Sequence, residues 1–510
     1  VFARVNSLGL LGIDGFPIKV EADISQGLPG FDVVGLPGAA VRESRDRVRS
    51  SMKNCGFTYP VSRITVNLAP ADIRKEGSVY DLPLLLALLK ASGQLEMSLD
   101  DSAFVGELSL DGEVRPIRGV LPMVMAARDN GFQRVFVPEG NAAEGAVVDG
   151  IDVIAVSSVA SLMGHLSGEK ILSPAHPEDF PNLYLSDEET ADFSDVCGQA
   201  AARRALEVAA AGAHNILMIG PPGSGKSMLA RRLPSILPDM TQTEALEATK
   251  IHSIAGMLPG GSGLLKSRPF RSPHHGVSVA GLTGGGTVPR PGEASLSHHG
   301  VLFLDELPEF SRVAMESLRQ PLEDSCVTIS RVSASLTYPC SFMLVAAMNP
   351  CPCGYFGHPT RTCKCSPNAQ QTYLSRISGP LLDRIDLHIE VPPVEYEQLS
   401  SKNPSESSAS IRERVNAARA IQLERFRGTS VISNARIPAG MLRKVCAMTD
   451  DASSMLHGVF DRMGLSARAY DRLLKVARTI ADLDSAEIID TRHLSEAVQY
   501  RSLDRKYWRK

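Results

Sequence analysis

No apolar run in this sequence approaches the ~18 residues that a membrane span requires. The longest, Leu82 to Leu89, is interrupted by a proline. No charged-then-apolar leader with a small-residue cleavage site opens it, so the expected location is cytoplasmic and no membrane partner is expected. An excess of one charge sign is missing too. With a formal net charge of -4 over 510 residues, any polyanion must be met by a local basic surface. Cysteines number only nine, an odd count, and four fall within fifteen residues, which favours a metal cluster over a disulfide framework. Tandem repeats are absent, and the length suggests about three domains.

Residues 1–168 mix strand and helix patterns. Ile64 to Leu68 reads as a strand and Asp81 to Ala91 as a buried helix. A hairpin, Phe104 to Leu110 and Val114 to Ile117, turns at Asp111-Gly112. A helix (Val120 to Arg128), a strand (Arg134 to Val137) and a strand-helix pair ending near Leu166 complete an α+β domain. Residues 169–191, with Pro174, Pro177, Pro181 and the acidic run Asp187 to Glu189, read as a linker. Across residues 192–393 strands and helices alternate, which predicts a largely parallel sheet covered by helices. In residues 394–510 a polar loop, Ser401 to Ser410, precedes helices at Ile411 to Arg425, Met441 to Met448, Ala452 to Met463, Ser466 to Leu483 and Thr491 to Tyr500. Ser466 and Asp490 stand at N-cap positions.

Gly220-Pro221-Pro222-Gly223-Ser224-Gly225-Lys226-Ser227 follows the apolar strand Asn215 to Ile219 and precedes a helix from Met228. This spacing in a strand-loop-helix context is a phosphate-binding loop. Its glycines let backbone N–H groups face the phosphates, and the helix N-terminus adds partial positive charge. Lys226 is expected to reach the β and γ phosphates of ATP and Ser227 to ligate Mg2+. The bland alternative is a flexible Gly-Pro loop. The strand Val301 to Leu304 ends in Asp305 and Glu306, placed to hold the Mg2+ shell and to polarise the attacking water. Charged residues also end strands at ordinary solvated turns. Asn349, after the strand Phe342 to Met348, is a candidate to orient the lytic water or sense the γ-phosphate, although asparagine also suits turns. Arg384, in Leu381 to Asp386, and Arg468, in Leu465 to Arg468, are candidates to neutralise the transferring phosphoryl group, including from a neighbouring subunit. Taken singly, a helix arginine is usually solvated or ion-paired.

Together these elements resemble the AAA+ family, its magnesium-chelatase-like branch, and most closely the bacterial YifB/ComM family. The resemblance is carried by Asp195 to Gln199 with Arg203 to Leu206, Gly220 to Ser227, Arg268 to His275, Gly292 to Glu306 and Asn349 to Gly354. It spans essentially the whole chain. It implies that Asp305 and Glu306 are the Walker B pair, Asn349 sensor one, Arg384 an arginine finger acting in trans and Arg468 sensor two on a helical lid. A finger acting across an interface implies a ring, here a homo-hexamer. Better-studied members resemble helicases that drive branch migration of DNA during natural transformation.

The first domain is similar to the proteolytic domain of Lon through Asp111 to Gly119, Ala126 to Phe132 and Val135 to Asn141. The resemblance places Leu84 and Leu121 where Lon carries its serine and lysine, and neither can act as nucleophile or base. Ser78 and Lys75 are out of register, so no peptidase activity is expected and a scaffold or interaction role remains.

Cys351-x-Cys353 and, nine residues on, Cys363-x-Cys365 offer four thiolates suited to tetrahedral zinc, with free thiols as the alternative. Between Gly261 and Gly292 no acid occurs, while Lys266, Arg268, Arg271 and Arg290 are basic. The hairpin-like Val327 to Tyr338 adds Arg331. In ring helicases such inserts line the pore and track phosphates, which makes these the candidate DNA contacts, against the reading of a solvated Gly-rich loop. Arg501, Arg505, Lys506, Arg509 and Lys510, with Tyr507 and Trp508, form a second basic patch or a disordered end. Two functions remain: an ATP-driven motor on single-stranded or branched DNA, or a chelatase-like machine remodelling a protein or metal-insertion partner.

Overall fold

The computed structural model describes residues 1–180, 191–258, 262–286, 289–330, 335–394 and 405–508. Arg331, Pro181, the run Asp187 to Glu189, Ser401 and the terminal Arg509 and Lys510 lie outside the described residues. The chain divides into two units, Val1–Leu183 with Ala245–Leu265, and Tyr184–Glu244 with Lys266–Lys510.

In the first unit a seven-stranded mixed sheet runs β3-β4-β2-β1-β5-β8-β9. Its strands are β1 (Phe2–Leu11), β2 (Asp14–Ser25), β3 (Gly30–Val34), β4 (Arg63–Ala69), β5 (Ser102–Phe104), β8 (Arg134–Pro138) and β9 (Asp152–Val156). A short ladder, β6 (Glu107–Leu108) with β7 (Val114–Arg115), forms the expected hairpin. Alternation places Val5, Ile18, Val20 and Ala22 inside. The helix Asp81–Ala91 lacks a polar face, and all of it but Lys90 is buried. Its one charged core residue, Asp81, is held by Arg47 Nε at 2.6 Å and by the Leu108 backbone N–H at 3.2 Å.

Two segments depart from the linear domain reading. Residues 169–180 are packed rather than linking: Ala175 N donates to Val153 O (2.8 Å), and Pro174 bridges Ile154. Ala245–Leu265, inside the stretch read as the ATPase core, folds with the first unit. Ser253 Oγ donates to Glu144 at 2.5 Å, and the Gly119 backbone N–H to Ser253 O at 3.1 Å.

The second unit is built on a five-stranded sheet, parallel throughout, in the order β11-β14-β17-β10-β18. Its strands are β10 (Ile216–Ile219), β11 (Phe270–Arg271), β14 (Val301–Leu304), β17 (Met343–Met348) and β18 (Leu387–Glu390). All four residues of β10 and all four of β14 are apolar and buried, as strands covered on both faces require. Two hairpins leave the sheet: β12 (Gly284–Gly285) with β13 (Arg290–Pro291), and β15 (Cys326–Ser330) with β16 (Ser335–Pro339). The helices Ser408–Arg425, Ala439–Val445, Asp450–Met463, Ala467–Leu483 and Thr491–Gln499 follow. Ser466 and Asp490 cap the last two as expected. These helices share one continuous core with the sheet, Val415, Ala477 and Ile480 joining Ala209, Ile216 and Val345.

Candidate nucleotide site

The sheet order fixes where chemistry can gather. From β10 the chain travels to the far edge at β11, returns through β14 and β17, and then crosses to β18 on the other side of β10. Ligands of open parallel sheets bind at the carboxyl ends of the strands beside such a reversal. The segments at those ends are the 220–227 loop after β10, Asp305 and Glu306 after β14, and Asn349 after β17.

Their side chains converge. Gly223 and Gly225 take φ of 79° and 88°, which turns the backbone into the helix Lys226–Arg232. Lys226 Nζ donates to Gly220 O (2.7 Å) and Pro221 O (2.9 Å) and lies 3.3 Å from Asn349 Oδ1. Ser227 Oγ donates to Asp305 Oδ2 at 2.6 Å. Glu306 sits at φ 52°, its N–H donating to Asp305 Oδ1 at 2.9 Å. Burial lowers the Lys226 ammonium to about 8, against the pull of Asp305 and Glu306. A buried cation resting on carbonyl oxygens, beside a hydroxyl-carboxylate pair, suits a phosphate chain and a hard divalent ion.

Two neighbours of the site were missed from sequence. His275 Nδ1 stands 3.7 Å from Glu306 Oε2. Gln199 Nε2 donates to Ser224 O (3.3 Å) and Pro392 O (2.6 Å), tying the loop to the chain beyond β18. The only available signal was position within the motifs Asp195 to Gln199 and Arg268 to His275.

The two arginines are not brought to this loop. Asn215, which precedes β10, donates from Nδ2 to Arg384 O at 2.8 Å, so Arg384 lies at the amino end of the sheet. Four strand residues, about 13 Å, separate that end from the phosphate loop. Arg384 is buried, donating to Pro380 O (2.6 Å) and paired with Glu323. Arg468 is exposed beside them, on a cavity of ≈ 220 Å³ lined by Glu323, Arg436, Asp471, Arg472 and Lys475. Neither reaches the Lys226 of its own chain.

The four cysteines do assemble. Cys351 Sγ lies 3.4 Å from Cys353 Sγ and 3.7 Å from Cys363 Sγ, Cys353 and Cys363 are 3.6 Å apart, and Cys365 completes the cluster.

The basic candidates separate into two kinds. Arg268 is consumed internally: its guanidinium forks onto Glu244 (3.2 and 2.9 Å) and donates to Pro238 O, Asp239 O and His299 O. Arg271 is likewise forked onto Glu293 at 2.7 and 2.9 Å. As a DNA contact Arg268 is corrected, because its five donors are already satisfied inside the fold. Lys266 and Arg290 are exposed. In the tail the described side chains are engaged. Arg501 is buried and donates to Ile385 O (2.6 Å), Lys506 pairs with Glu390 (2.8 Å), and Trp508 Nε1 donates to Leu374 O (3.4 Å).

Comparison with known proteins accounts for nearly all of the chain. Residues 192–399 match the family described as magnesium chelatase, subunit ChlI. Residues 20–141 match subunit ChlI of Mg-chelatase, and 405–501 the ChlI C-terminal family. The protein YifB of Escherichia coli (strain K12) is 44% identical over 504 residues, 98% of this chain and 97% of that protein. The competence protein ComM of Haemophilus influenzae is 43% identical over 508 residues, 99% and 98% of the two chains. This chain belongs to the YifB/ComM family of magnesium-chelatase-like AAA+ proteins. Its fold is α/β, with a central parallel sheet followed by helices. In the first unit this YifB/ComM chain is also similar to the Lon protease of Mycolicibacterium smegmatis, 28% identical over 181 residues, 33% of this chain and 22% of the protease. Leu84 and Leu121 are wholly buried in the core. Lys75 is also buried, bonded to Pro70 O, while Ser78 bonds to Glu107. Among the described residues no helix is long and apolar enough to cross a membrane.

Proposed function

We propose that this chain is a Mg2+-dependent ATPase that works as a hexameric motor on single-stranded or branched DNA. The observation that carries the ATPase reading is the meeting of Ser227 with Asp305 at 2.6 Å beside Lys226 and Asn349. Lys226 exchanges its carbonyl partners for the β and γ phosphates. Ser227 and Asp305 supply ligands to the metal, which when bound neutralises charge on the phosphates. Glu306 accepts a proton from the attacking water, which Asn349 orients. Arg384 and Arg468 serve the site of an adjoining copy, since their position at the sheet's amino end removes them from their own. The cofactor set includes Zn2+ in the four-thiolate cluster.

The DNA reading draws support from the name of the ComM relative and from exposed Lys266 and Arg290. The chelatase name of the family favours a second reading, remodelling of a protein or metal-insertion partner. ATP turnover measured with forked, four-way and plain duplex DNA separates them. Stimulation that falls steeply with salt supports the motor, and no stimulation by any DNA leaves the second reading. Glu306→Gln should keep ATP binding and abolish turnover; hydrolysis at the original rate would remove Glu306 from its role.

A further inference from the structure

The segment from Cys351 to Cys365 leaves the carboxyl end of β17 two residues beyond Asn349 and returns as the helix Pro367–Leu374. Its sulfurs stand 3.4 to 3.7 Å apart where separations are resolved. Four donors 2.3 Å from a tetrahedral ion lie about 3.8 Å apart, whereas a disulfide needs about 2.05 Å. The spacing is therefore that of a thiolate-bound ion. All-sulfur ligation excludes magnesium and calcium and suits zinc. Gln370 Nε2, 3.4 Å from Cys363 Sγ and 3.4 Å from Cys365 O, supplies the kind of outer partner that orients a ligand.

What the cluster touches gives it a further role. Cys351 and Cys353 belong to a turn closed by Gly354 N donating to Cys351 O at 2.9 Å. Gly354, at φ +83°, lies against the phosphate loop: a Cβ there would stand 2.4 Å from Pro222 Cδ. On the other side Asn349 lies 3.3 Å from Lys226 Nζ. Tyr373, on the returning helix, is buried beside the Asn349 backbone. One short loop thus braces both the glycine turn and the strand-end amide. Held by an ion, it is closed; without one, the entropy of the open segment is restored and only the flanking contacts oppose it.

We infer that Zn2+ on Cys351, Cys353, Cys363 and Cys365 is a positioning element of the nucleotide site, so that loss of the metal weakens ATP binding. The inference rests on the assignment of ATP to the 220–227 loop. The test uses the full chain, with zinc measured by atomic emission, ATP affinity by fluorescent-nucleotide titration and fold by circular dichroism. Wild type should carry one zinc per chain. The Cys363→Ser, Cys365→Ser double variant should lose it and bind ATP at least about tenfold more weakly with its secondary structure intact. Wild type stripped by a thiol-competing chelator should behave alike and recover on adding zinc; this arm decides if the double variant fails to fold. Gly354→Ala should keep zinc and still weaken ATP. Wild type purified without zinc, or metal-free protein binding ATP as tightly as wild type, overturns the inference. Lys226→Ala, run alongside, keeps the two failures apart. If it retains ATP binding, the nucleotide assignment is wrong; if it alone loses binding, only the metal coupling is.

Discussion

Lys226 carries a consequence that follows from its burial. Desolvation lowers its ammonium to about 8, although Asp305 and Glu306 favour the charge. Below that pH the cation is in place before the phosphates arrive. Above it a proton must be taken up on binding, so affinity falls as pH rises. The wild-type chain should bind a non-hydrolysable ATP analogue with a flat profile below pH 8 and lose up to about tenfold per pH unit above it. Calorimetry in two buffers of different ionisation enthalpy should register the proton uptake. A profile without decline up to about pH 9.5 would mean that no lysine of lowered pKa meets the phosphates. At the same scale, sequence resolved the loop, its acids and its cysteines because each depends on residue type at fixed spacing. Arg268 was misread for the opposite reason. A basic residue in an acid-free stretch looks solvated until the fold delivers Glu244 to it.

Among elements, those whose cause is local were legible. The helix Asp81–Ala91 is marked by unbroken apolar residues, and Ser466 and Asp490 by cap chemistry, where side-chain oxygens accept the first free N–H groups. The strand pairings were not legible, because β14 lying between β11 and β17 is a long-range choice that no window of sequence contains. Nor was the allegiance of Ala245–Leu265, whose helix buries Ala248 and Ile251 and whose Ser253 meets the Glu144 carboxylate. Prolines 174 and 177 suggested a linker, yet proline forbids only its own N–H bond, and Ala175 still donates to Val153.

At the scale of the whole molecule, the nucleotide loop and the two arginines occupy opposite ends of one parallel sheet. On the proposed assembly, a second copy presents the amino end of its sheet to the carboxyl end of the first. Such a contact is head-to-tail, and head-to-tail contacts close into rings when the rotation between copies closes. The arrangement predicts complementation. Arg468 is exposed, so Arg468→Ala should fold with its phosphate loop intact, while Lys226→Ala keeps its arginines but binds no nucleotide. Each variant alone should hydrolyse little ATP. Co-expressed in equal amounts, they should recover roughly a quarter of the wild-type rate, since one interface in four joins an intact loop to an intact arginine. Wild-type turnover by Arg468→Ala alone would remove that arginine from the site. No recovery on mixing, with rings verified by light scattering, would mean that each chain must serve itself, which the distance between the two ends of the sheet forbids for Arg468 unless the helices after β18 swing away.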